Sequence, residues 1–238
     1  MTVVARFFLA PLLRLCFRPT IVGRRNVPRR GGVLLASNHL AFLDSVVITL
    51  VAIRPVRFMV KDDYFSRPGL RGWVTKTFFR SIGAVPVHRG GGHAAQEALD
   101  AGLQVLRDGD AFSIYPEGTR SLDGRLYKGR TGVAWLALSA GVPIVPVAIR
   151  GTDELQPDGG SRFRIRPRTV RVEFGAPMDV SGIGPASSGR ARREVTDAVM
   201  REIASMSGQV EAGVLNEVPA LREATGSTPT VERSSTSR

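Results

Sequence analysis

The chain has 238 residues, 43% of them hydrophobic, with one cysteine and a formal net charge of +12. That length suits a single well-packed domain with appendages and argues against two full domains. The lone Cys16 excludes an intrachain disulfide and a cysteine-rich zinc site and fits a reducing compartment. The three histidines, His39, His88 and His93, have no metal-ligand spacing, so neither a metal nor a cofactor is expected.

No Asp or Glu precedes Asp44, whereas Arg6, Arg14, Arg18, Arg24, Arg25, Arg29 and Arg30 all do. The apolar run from Val3 to Phe17 is interrupted by Arg6 and Arg14. It is too short to span a bilayer, which needs about 20 apolar residues, and lacks the cleavage site of a signal peptide. As a helix it gathers Arg6, Arg14 and Arg18 within about 120°, with Phe7 and Phe17 intruding on that arc. The expectation is an amphipathic helix over residues 1–20 lying in a membrane interface; a helix packed on the core is the competing reading.

Apolar runs then predict strands at Val33–Ser37, Val56–Val60, Ile82–Val87, Ala111–Tyr115, Ile144–Ile149 and Val170–Phe174. Helix patterns fall near Leu43–Ile53, Arg71–Phe79, His93–Arg107, Gly129–Ala140 and Arg190–Ser205. Such alternation predicts an α/β domain over 21–206, with a mostly parallel central sheet flanked by helices. Arg162, Arg164 and Arg166 alternate with Phe163 and Ile165, as on one side of a basic edge strand. Residues 207–238, rich in Ser, Thr, Glu, Pro and Gly, read as a disordered tail.

The segment from Asn38 to Asp44 carries the chemistry. A histidine titrates near neutral pH, at about 6.5 when free, and accepts a proton from a hydroxyl without extreme tuning. A carboxylate beside it fixes the tautomer and stabilises the imidazolium. On one continuous helix His39 and Asp44 would stand about 140° apart and share no face. The pair therefore requires His39 in a turn after a strand and Asp44 on the helix that follows. A purely structural hydrogen bond is the alternative for such a pair.

Three further segments alter that balance. Ile82–Arg89 is a short strand ending in a cation, Phe112–Ser121 a strand running into a Pro/Gly loop ending at Arg120, and Val142–Ile149 a third apolar strand. In order and spacing, these four segments resemble the sequence blocks of the glycerolipid acyltransferases, in particular the 1-acylglycerol-3-phosphate acyltransferases. The resemblance covers about Gly31 to Ile149, with a further similar strand at Val170–Pro177. Ala41 stands where the family often has Ser, and His88 where it often has a carboxylate before the arginine.

The resemblance implies a central sheet flanked by helices and transfer of a fatty acyl group to an alcohol, with His39 as general base and Asp44 as its orienting partner. Fixed cations at strand ends would hold the acceptor phosphate. Arg120 can bind it bidentately, Arg89 is a second cation, and Lys61 resembles a family lysine. Gly118 frees the loop to present N–H groups to the anion, beside Thr119, and Glu117 braces Thr119, Arg120 or a glycerol hydroxyl. Lys128 and Arg130 are weaker candidates. Asn38 either caps the next helix or takes part in the catalysis.

The expected acceptor is lysophosphatidate and the expected donor acyl-CoA or acyl carrier protein, with no covalent intermediate. The expected partner is an anionic phospholipid surface at the cytoplasmic face of the cell membrane, and not nucleic acid, since aromatics make up only 7% of the chain. Glycerol 3-phosphate, another lysophospholipid or an acylated amino acid stay open as acceptors. A non-catalytic basic module on membranes or nucleic acid is the alternative from a different class.

Overall fold

The computed structural model describes residues 7, 10, 11, 14–66, 68–87, 94–156, 164, 166, 167 and 169–216. Seven strands build the main sheet: β1 (Thr20–Val22), β2 (Val33–Ser37), β3 (Val56–Lys61), β4 (Ala84–Val87), β5 (Ala111–Ile114), β7 (Ile144–Arg150) and β8 (Arg171–Phe174). Their order is β1-β8-β7-β2-β5-β3-β4. Pairings β7–β2, β2–β5, β5–β3 and β3–β4 are parallel, and β8 runs antiparallel to β7. The mostly parallel α/β architecture is therefore the one predicted.

The helices are α1 (Leu43–Val51), α2 (Gly69–Ser81), α3 (Ala94–Arg107), α4 (Gly132–Ala140), α5 (Thr152–Leu155) and α6 (Gly189–Ser207). Because side chains alternate across a strand, β2 supplies two cores. Val33 and Leu35 face one side with Val46, Val47, Ile48 and Leu50 of α1, and with Phe79 of α2. Leu34 and Ala36 face the other with Leu103 and Leu106 of α3, Val133 and Leu136 of α4, and Val195 and Val199 of α6. All five residues of β2 are buried, which is why it reads as a continuous apolar run.

The chain leaves β2 through α1 on one face, and leaves β5 towards α4 on the other. Neighbouring parallel strands whose connections diverge open a crevice beyond their carboxyl ends, the usual ligand position in such sheets. The residues following β2 and β5, His39 and Glu117, stand at that crevice.

Several elements were not legible in the sequence. β1 pairs with β8, so the main sheet begins inside the stretch assigned to the N-terminal helix. A second, two-stranded sheet joins β6 (Leu126–Lys128) to β9 (Glu211–Leu215). Residues 208–216, expected at the head of the tail, are thus part of the fold; 217–238 lie outside the described residues. Arg164 and Arg166 belong to no strand, and Arg166 pairs with Glu154 of α5 at 3.2 Å, while Arg162, Phe163 and Ile165 are outside the description.

Within the N-terminal stretch, Phe7, Ala10, Pro11 and 14–17 are helical. Ala10 and Phe17 pack on the core, while Phe7 and Leu15 are exposed. Among the described residues no helix is long and apolar enough to cross a membrane.

Gly102 marks a close approach of α3 to β5. A Cβ there would lie 2.6 Å from Cε1 of the fully buried Phe112. Gly102→Ala is expected to destabilise the fold by about 1–3 kcal/mol, because overpacking outweighs the better helix propensity of Ala. A lowered urea midpoint at unchanged slope would show it.

Candidate active site

The turn between β2 and α1 is closed by one carboxylate. Asp44, in the first turn of α1, is fully buried. Its Oδ2 accepts from Leu40 N at 2.7 Å and from Ala41 N at 2.9 Å, and lies 2.8 Å from His39 Nδ1. The predicted arrangement, histidine in the turn and aspartate on the helix, is the observed one. An ionised carboxylate only accepts, so the Nδ1 facing it carries the proton and Nε2, across the ring, is left bare. The His39 side chain is 16% exposed. Asp44 Oδ1 is buried with no hydrogen-bond partner among the described residues.

Tyr115, the residue after β5, fixes the ring from a second direction. Its ring stacks on His39 with centroids 3.8 Å apart and planes 9° from parallel. Its hydroxyl is 2.7 Å from Ser45 Oγ in α1. Burial, then the charge of Asp44, pushes the phenol well above its ordinary range and keeps it neutral. The sequence placed Tyr115 only as the end of a strand; an aromatic at the mouth of a strand facing a histidine-bearing turn was the available signal.

Glu117 ties the two loops together. It is fully buried; Oε1 accepts from His39 N at 3.0 Å and Oε2 from Tyr127 N at 3.0 Å. It therefore braces the backbone under His39, not Thr119 or Arg120. Ser121 N donates to His39 O at 2.8 Å, a further contact between the loops. Gly118 has φ +81°, open only to a residue without a Cβ, and an added Cβ would lie 2.8 Å from Arg130 Nε. Arg130, rated weakly from sequence, thus lays its guanidinium against the Glu-Gly-Thr-Arg loop.

Thr119 and Arg120 are half-buried on the same loop, and Arg120 O accepts from Asn216 Nδ2 at 3.1 Å. Beyond it Asp123 stiffens the return to β6, accepting from Ser121 Oγ, Arg125 N, Arg125 Nε and Tyr127 Oη. Partial burial opposes ionisation there, but the bonds from Arg125, Tyr127 and Ser121 hold its carboxyl down at about 2. Lys61 ends β3 and pairs with Asp63. Arg89 and His88 lie outside the described residues.

Asn38 departs from the expected role. The N-cap of α1 is Phe42, without a side-chain cap. Asn38 instead bridges the ends of two strands: Nδ2 donates to Ile149 O at 2.9 Å and Oδ1 accepts from Ile149 N at 2.8 Å. The same Nδ2 donates to Gln209 Oε1 at 2.7 Å, and Gln209 Nε2 donates to Gly124 O at 2.8 Å. The segment after α6 so braces both site loops, which a reading of 207 onwards as a tail had missed.

A histidine–carboxylate turn facing a glycine–arginine loop at a parallel-sheet switch point is the geometry to compare with known proteins. The sequence profile described as Acyltransferase matches residues 18–150. The chain belongs to the acyltransferase family. It is 31% identical over 164 residues to a chloroplastic 1-acyl-sn-glycerol-3-phosphate acyltransferase of Brassica napus, covering 68% of this chain and 45% of that one. It therefore spans less than half the length of that relative. A 1-acyl-sn-glycerol-3-phosphate acyltransferase of Bacillus subtilis is 25% identical over 195 residues, covering 80% of this chain and 89% of its own. The crystal structure of the 1-acyl-sn-glycerophosphate acyltransferase PlsC from Thermotoga maritima superposes with a TM-score of 0.62 at 26% identity, over 85% of this chain and 81% of that one.

Two outcomes follow for this acyltransferase fold. Asn38→Ala leaves the N–H and C=O of Ile149 without their buried partner, a loss of about 2–4 kcal/mol expected in denaturant unfolding. Burial raises the Glu117 carboxyl from 4.5 to about 7, against the opposing bonds from Tyr127 N and His39 N. A raised acid binds its proton more tightly in the folded state, so its stabilising effect is complete below about pH 4.5 and lost as pH rises through 7. Unfolding free energy should fall by about 3 kcal/mol across that window, and Glu117→Gln should flatten the slope.

Proposed function

We propose that the protein transfers a fatty acyl group from a thioester, acyl-CoA or acyl carrier protein, to the sn-2 hydroxyl of lysophosphatidate, giving phosphatidate. The observation that carries this reading is the His39–Asp44 pair, held at the backbone of His39 by the Glu117–Ser121 loop. The names of the plant and bacterial relatives support lysophosphatidate as acceptor, and the match to most of the length of the Bacillus and Thermotoga proteins supports the same reaction.

In the reaction His39 Nε2 takes the proton of the acceptor hydroxyl as its oxygen adds to the thioester carbonyl. Asp44 holds the Nδ1 proton and balances the imidazolium. The tetrahedral oxyanion then collapses, the carbon–sulfur bond breaks, and the leaving thiolate recovers the proton from His39. Atoms balance without an acyl-enzyme. Ser37, the nearest serine before His39, is fully buried and turns its hydroxyl to Asn38 O at 3.0 Å.

Arg120 and Thr119 would receive the acceptor phosphate on the loop that Gly118 turns, its own N–H being donated to Tyr115 O at 3.0 Å, with Lys61 and Arg89 as further cations. Arg120 gives a planar fork matched to phosphate oxygens. Tyr115 keeps the imidazole from rotating as it gains and loses charge. The enzyme would act as a peripheral protein on the cytoplasmic face of the cell membrane, where both substrate and product reside.

Thiol release from a long-chain acyl-CoA, with and without lysophosphatidate, tests the reading. Release should require the acceptor and fall by about 10²–10⁴ in His39→Ala and in Asp44→Asn. Arg120→Lys should raise KM for lysophosphatidate while sparing kcat, because the bidentate fork is lost but the charge kept. Release indifferent to the acceptor, or unchanged in His39→Ala, would sink the assignment.

A further inference from the structure

A surface helix ordinarily packs an apolar stripe inward and turns a polar face to water. α2 does not. It packs inward through Gly72 and through Phe79, whose ring lies 5.9 Å from Phe42 and 5.1 Å from Tyr64. On its outer side Leu70, Trp73 and Val74 are 76%, 63% and 52% exposed. At about 100° per residue these three fall within an arc of roughly 100°, centred almost opposite Phe79. They form one stripe, at i, i+3 and i+4.

The stripe has a charged rim of one sign. On the same helical projection Lys76 and Arg80 border it beside Trp73, and Arg71 borders it beyond Val74. No Asp or Glu occurs in the sequence between Asp63 and Glu97, whereas Arg67, Arg71, Lys76, Arg80 and Arg89 do. A second copy of this face would bring like charges together across a two-fold contact. An anionic bilayer meets every feature at once. Aliphatic side chains enter the acyl boundary, tryptophan rests at the headgroup level, and the flanking cations meet anionic headgroups.

We propose that the outer face of α2, Leu70, Trp73 and Val74 with Arg71, Lys76 and Arg80, docks the protein on an anionic phospholipid bilayer. The same helix holds Phe42, within the His39–Asp44 turn, on its inner side. Docking through α2 therefore places the catalytic turn about one helix diameter, roughly 10 Å, from the bilayer, within reach of a lysophospholipid acceptor drawn from the lipid. The docking stands on the surface itself; its service to acceptor delivery rests on the function proposed above.

Trp73 reports on its own environment, because the chain has only one other tryptophan, Trp135. The full chain carrying Trp135→Phe would be mixed with phosphatidylcholine vesicles with and without phosphatidylglycerol. A blue shift of Trp73 emission and its quenching by brominated acyl chains are expected with phosphatidylglycerol present, weakening as salt is raised. Emission that ignores vesicles, or shifts equally without phosphatidylglycerol, would overturn the proposal. So would a shift that follows protein concentration alone, which marks a second copy as the occupant.

The exposed triple variant Leu70→Ser, Trp73→Ser, Val74→Ser removes no buried group, and circular dichroism checks that it folds. It should lose at least about ten-fold in activity on vesicle-borne lysophosphatidate while keeping its activity on a monomeric short-chain acceptor. Equal activity of this variant and the parent on vesicles would overturn the proposal. An unaltered chain inactive on every acceptor would reject the proposed reaction and leave the fluorescence result to decide the docking.

Discussion

Three donors converge on one oxygen, Asp44 Oδ2: the imidazole of His39 and the backbone N–H groups of Leu40 and Ala41. The geometry of the turn between β2 and α1 depends on that convergence. The turn between β2 and α1 has no capping serine or asparagine, so without the carboxylate its N–H groups would point into a buried region unpaired. Closing the turn and aiming the histidine are therefore one act. A substitution at Asp44 cannot remove only its contact with the imidazole, because it also releases the backbone that carries His39.

Around this turn the protein spends buried polar groups where loops must be held. Glu117 reaches under His39 from the loop after β5, and Asn38 locks β2 to β7 through both its amide atoms. Tyr115 supplies a flat wall for the imidazole. These contacts come from different strands, and only a parallel sheet whose neighbouring strands diverge to opposite faces brings them to one crevice. The small β6–β9 sheet and Gln209 then close the far side, so residues beyond the last helix share in holding the site. A buried carboxyl raised to about 7 beneath the histidine turn is the electrostatic cost of this bracing.

The regular elements were largely legible. β2 and β7 are apolar on both faces, and α3 and α6 carry helical periodicity with glycine stops, so local pattern and final state agree. The short strands were not. β1 and β6 have three residues each, too few for a period, and β9 is exposed along most of its length with no apolar run to mark it. Their strand character comes from a partner already in place. Asn38 was misread for a similar reason: beside a helix start it resembles a cap, and nothing local announces that Ile149 lies across from it.

The sequence by itself determined the alternation of strand and helix, the histidine–aspartate turn, the glycine–arginine loop and the basic field, because each is written within a few neighbouring residues. Tertiary structure alone decided that Glu117 lies beneath His39, 78 positions away, that Gln209 meets Asn38 across 171, and that α2 turns Leu70, Trp73 and Val74 outward. Local spacing fixes which side chains share a face, but not which face finds a partner. That depends on strand order and on the helices that fill each side of the sheet, and strand order is set by the packing of the whole chain.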